Sequence, residues 1–82
     1  DASVRSFQRQ RMSRAPEVLR DYGSRLLRAR DGRGMYRITR TAHDALMATG
    51  VEDSMARQML GAQRAVVRAI RECVRRAGRA WP

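Results

Sequence analysis

From Ser54 to about Arg79 the chain runs without a proline, and apolar residues keep returning at helical spacing. Met55, Met59, Val66, Ile70, Cys73 and Ala77 form a seam, and Leu60, Val67 and Val74 widen it. This pattern predicts one helix roughly 39 Å long at 1.5 Å per residue, a large element for an 82-residue chain. Glu52, Asp53 and Ser54 give it an acidic, cap-forming start, and Pro82 stands beyond its end.

The rest of the chain divides into shorter pieces. Residues 3 to 12 carry a weak stripe, Val4, Phe7, Arg11 and Met12, with Ser3 as its cap, that fits either a packed helix or a loosely packed arm over residues 1–12. Near Pro16 a second helix is expected, with Ser13 or Ala15 leading in and Glu17 at the positive end of its dipole. Ala15, Val18, Leu19, Tyr22, Leu26 and Ala29 share its apolar face, and Asp31-Gly32 with Gly34 reads as the turn that stops it. A third segment, about Met35 to Thr49, places Met35, Ile38, Ala42, Ala45, Leu46 and Thr49 on one face and ends at Gly50, a left-handed stop. Its opening, Met35 to Thr41, has strand character, so a short helix after an extended stretch is expected there. The fold class is all-α: one basic domain over 1–82, a small bundle of three to four helices with a long C-terminal helix. A chain this short buries a thin core, which favours pairing as a homodimer.

Charge narrows the function. Eighteen basic residues, every one an arginine, face eight acidic ones, for a net charge of +10. Such an imbalance repels itself unless a polyanion neutralises it, and the guanidinium fork matches phosphate geometry. On the long helix, Arg57, Arg64, Arg68, Arg71, Arg75 and Arg79 fall within a sector of about 80° opposite the apolar seam. A solvated helix face ordinarily mixes both signs at four-residue spacing; this ridge carries one sign, with only Glu72 flanking it. Gly61 stands in the ridge where another backbone could approach closely. Arg37 and Arg40, after the glycine turn, form a flanking basic group with Arg33. Tyr36 is expected to pack its ring on a neighbouring helix; stacking of Tyr36 or His43 on a base is the alternative.

Other classes fit less well. His43 is the only histidine, and Asp44 beside it points about 100° away on a helix. Cys73, the only cysteine, lies on the seam, where a thiol is a small hydrophobe. No metal-ligand spacing, Walker loop or nucleophile motif occurs, so no enzyme, cofactor or metal is expected. No apolar run reaches the length of a membrane span. An interfacial membrane helix with Trp81 near its end is disfavoured if Val66, Ile70 and Cys73 face a core or a twin. The seam from Met59 through Gln63, Val66, Ile70, Cys73 and Ala77 alternates steps of four and three, which suits a pair of long helices with Gln63 setting register. Unpaired cysteine use and the absence of a secretory pattern suggest an intracellular setting, in cytoplasm, nucleoid or nucleus, or a viral one.

The sequence therefore predicts a nucleic-acid-binding protein. Arg57, Arg64, Arg68, Arg71 and Arg75, flanked by Arg37 and Arg40, would contact duplex phosphates with low sequence specificity, and DNA and RNA stay equally open. Two alternatives remain. One is a helical interaction module docking an acidic protein. The other is a helix-turn-helix regulator, since Ala42, Ala45, Gly50, Val51, Ala56 and Met59 sit at suitable offsets. Against the latter, Leu46 is large for a tight crossing, and Glu52 and Asp53 would meet DNA with like charge.

Overall fold

The computed structural model describes residues 14–80, with the side chains of 14–78. The expected arm or helix over 1–12, Ser13 and Trp81 fall outside the described residues. Three helices follow one another: α1 (Ala15–Arg28), α2 (Gly32–Ala48) and α3 (Asp53–Ala80), each packed against the other two. Among the described residues there is no strand. The all-helical bundle and its long C-terminal helix agree with the sequence.

Local chemistry sets the helix ends. Pro16 lies in the first turn of α1, where its missing N–H deprives no bond, and Glu17 follows it. The expected extended stretch before α2 is absent; Met35 to Thr41 is helical throughout. The reason is Asp31, whose carboxylate accepts the Gly34 N–H at 2.8 Å and caps a helix that begins at Gly32. The "DGRG" stretch thus starts α2 as much as it stops α1. Glycine suits position 34, because a Cβ there would stand 3.2 Å from the capping oxygen. At the far end Gly50 takes a φ of 95°, the left-handed stop the sequence called for.

The core is a single layer between the three helices. Tyr22 and Leu26 from α1, Leu46 from α2, and Ala56, Leu60 and Val67 from α3 are its centre, with Val51 buried beneath the α2–α3 turn. Val18, Leu19, Ile38 and Met59 pack around them. Tyr22 keeps its phenol satisfied inside: its hydroxyl donates to Thr39 Oγ1 at 3.0 Å, and Thr39 donates in turn to the Met35 carbonyl. Met35, expected on the buried face, lies at the open end of the layer and is exposed.

The largest departure concerns which side of α3 is buried. Ala56, Leu60 and Val67 face the core, whereas Val66, Ile70, Cys73 and Ala77 are exposed. Two helices of 14 and 17 residues cover only one stripe of a 28-residue helix, and the broad apolar sector is wider than that stripe. Gln63, placed on the seam by its spacing, instead lies over buried Gly23 of α1, where a Cβ would come within 2.5 Å of its Nε2. The close approach expected at Gly61 does not occur; the nearest atom to a Cβ there is the tip of Arg64 at 4.0 Å.

Leu46 is fully buried in the shared core. Leu46→Ala should lower unfolding free energy by roughly 2–5 kcal/mol, read by urea denaturation.

Candidate nucleic-acid interface

The arginine ridge runs along the edge of α3 that borders α2. At about 100° per residue it lies about 70° to one side of the Ala56–Leu60–Val67 face, so it flanks the core instead of standing opposite it. This rotation brings two basic groups together that are distant in sequence. A groove of about 600 Å³ between α2 and α3 is lined by Arg40 from α2 and by Arg57 and Arg64 from α3. Tyr36 and His43 line it too, with Asp44 on its rim. A smaller recess of about 110 Å³ continues from Arg64 past Arg68 to Arg71, floored by Leu26, Met35 and Val67. Arg64 belongs to both, so the two hollows form one basic track.

The members of that track differ in what already holds them. Among the described residues, Arg40, Arg64 and Arg68 have no acidic partner within 4.0 Å. Arg57 pairs with Asp53 at 3.2 Å, and Arg75 and Arg76 share Glu72. These pairs are exposed, where solvent screening leaves an ion pair little net strength, so a phosphate can displace them. Arg71 is different. Its guanidinium crosses from α3 to donate to the carbonyls of Leu26, at 2.5 Å, and Ala29, at 3.3 Å. Both carbonyls lie at the C-terminus of α1, where the helix dipole also favours a cation, and that of Leu26 accepts the Ala29 N–H as well. Arg71 is a cross-helix cap.

Arg37 does not join the track. It projects to the other edge of α2, into a groove shared with α1 and bordered by Glu17 and Asp21. Tyr36 does not pack on a neighbouring helix: its ring is 66% exposed at the groove mouth, with the Arg40 guanidinium 3.5 Å from its hydroxyl. Cys73 is exposed as well.

His43 acquires a partner that local spacing did not reveal. Its Nε2–H donates to the Asp53 carboxylate at 2.6 Å, across the Gly50 turn, while Asp44 stays 3.8 Å from Nδ1. This bond ties the first turn of α3 to α2. The His43 hydrogen bond, with a lesser contribution from the neighbouring Arg57 charge, outweighs the opposing loss of hydration and holds the Asp53 carboxyl below the usual carboxylate range. The turn keeps the glycine and buried valine of a helix-turn-helix, but the first turn of α3 is acidic and engaged within the chain. Among the described residues no cluster of three or more potential metal ligands occurs, and no helix is long and apolar enough to cross a membrane.

Comparison with protein-family models, with curated proteins and with solved structures found no match to this chain.

Two outcomes follow from these contacts. Arg71→Met should destabilise the fold by roughly 1.5–3 kcal/mol in chemical denaturation, because two helix-end carbonyls lose a charged donor. Asp53 ionises more readily folded than unfolded, so its contribution to stability holds at neutral pH and disappears as pH falls through its lowered value. The stability gap between the parent chain and Asp53→Asn should therefore be present at pH 7 and close below about pH 4, measured by denaturation across pH.

Proposed function

We propose that this protein binds the phosphate backbone of a nucleic-acid duplex along the track of Arg40, Arg57, Arg64 and Arg68, extended by Arg75, and that it does so as a homodimer. The observation that carries the reading is the convergence of Arg40, Arg64 and Arg68 on one edge of the α2–α3 pair, without acidic partners among the described residues. From Arg57 to Arg75 the track is about 27 Å long, the axial rise of roughly eight base pairs. Arginine forks on a rigid helix hold phosphates at fixed spacing without reading bases, so sequence preference is weak and DNA and RNA duplexes both qualify. Exposed Tyr36, beside Arg40, offers a flat face at the entrance for a sugar or an unpaired base. The reading is one of binding without catalysis, in an intracellular or viral setting where nucleic acid is an abundant polyanion. Arg71 enters it as scaffold first, and Arg37 lies off the track.

Neutralising about four phosphates gives a slope near −4 for log affinity against log salt on DNA. Fluorescence anisotropy with random duplexes at about 50–200 mM salt should show that slope, and Arg64→Ala with Arg68→Ala should reduce it by about two for every sequence alike. Unchanged binding by the double variant would remove the track as the site. Absence of duplex binding at low salt, with capture of an acidic protein instead, would give the domain to protein docking.

A further inference from the structure

The exposed apolar side of α3 has no partner among the described residues. Val66 is 49% exposed, Ile70 42% and Val74 67%, and Met55, Cys73 and Ala77 are open as well. From Met55 to Ala77 the strip is about 33 Å long. Met55, Met59, Ala62, Val66, Ala69 and Cys73 follow one another at four-three spacing, with alanines where two helices would come closest. Scattered apolar residues on a surface need no explanation, but a continuous stripe with coiled-coil spacing does.

We infer that a second copy covers this strip in an antiparallel helix pair, and that the resulting dimer bridges two separate duplexes; the bridging half of the inference rests on the duplex-binding reading above. Charge decides the direction. Glu52, at the start of α3, and Arg76, near its end, are the charged residues that flank the strip. Antiparallel pairing sets the basic end of one helix beside the acidic start of the other and opposes their dipoles. Parallel pairing brings the two ends that carry Arg76 together and aligns the helix dipoles. Length points the same way. Among the described residues, Arg71 is the last of α3 with a hydrogen bond to another helix, and roughly nine residues, about 14 Å, continue beyond it with Val74 exposed. An antiparallel mate lays its own three-helix layer alongside that overhang.

The function follows from angle. The strip lies about 160° around α3 from the arginine track. Two chains joined along their strips point their tracks away from each other, so one duplex cannot occupy both. The dimer becomes a bivalent connector between duplexes or between distant segments of one. An anionic membrane suits the strip less: with these apolar residues in the bilayer, the arginines would point away from the headgroups.

Equilibrium sedimentation and a bridging assay test this together. The parent chain should sediment as a dimer, and Val66→Gln with Ile70→Gln, neutral changes at exposed positions, should give a monomer of unchanged helicity by circular dichroism. A bead-bound duplex should retain a second, fluorescent duplex only with the parent chain. The variant should bind each single duplex yet lose bridging at least tenfold. A short bis-maleimide, which adds one thiol at each end, should leave native Cys73 uncoupled, whereas Met59→Cys should give covalent dimers in which the introduced thiol is joined to Cys73 of the partner subunit, since those positions are symmetric about Val66. A monomer at about 100 μM, or a dimer unaffected by the glutamines, overturns the pairing. Direct coupling of Cys73 to its own copy overturns its direction. A monomeric chain whose binding to anionic vesicles is lost in the variant reassigns the strip to lipid. A normal dimer that shifts no duplex overturns the track and the bridging, and leaves the pairing intact.

Discussion

Everything in this small bundle depends on which stripe of α3 meets α1 and α2. Ala56, Leu60 and Val67 are the residues of α3 that settle into the shared layer, and Ala56 is small enough to let the helices come close. Once that stripe is fixed, the remaining faces have no freedom. The arginine edge is turned toward α2, the apolar edge is turned to solvent, and Gln63 is laid across Gly23. The electrostatic character of the surface is thus a by-product of a packing decision made by a few apolar side chains.

The same constraint explains what could be read in the chain and what could not. The helices of 15–28 and 53–80 were legible because their signals are local: a proline in a first turn, an unbroken period, a glycine with positive φ. The face of α1 was legible too, since its apolar stripe is narrow and only one orientation buries it. On α3 the apolar residues cover so wide a sector that Val66 and Val67 compete, and a wheel cannot say which one the neighbours will choose. The strand character of Met35 to Thr41 misled for a related reason. Side-chain preference near a helix start is weaker than a cap supplied from outside, here by Asp31.

The candidate site was half legible. Spacing alone assembled the ridge on α3, because residues on one helix edge need no tertiary information. Spacing could not see that Arg40 lies across a groove from Arg57 and Arg64 while Arg37, three residues earlier, looks the other way. It also could not separate Arg71 from its neighbours, since the difference lies in two carbonyls some forty residues away. His43 and Asp53 met for the same reason, ten residues apart around a glycine turn that folds the chain back on itself.

The part of α3 beyond Arg71 carries a consequence of its own. No packed layer among the described residues supports it, and an isolated helical stretch of that length is marginal in water, more so with a glycine at position 78. In a single chain, amide protons there are expected to exchange through cheap local opening, and those near Leu60 only through larger excursions. The arginines crowded onto that segment work against their own helix until counter-charge arrives. Its winding is therefore coupled to ionic surroundings, and the chain carries at one end a segment whose order reports how well its charge is answered.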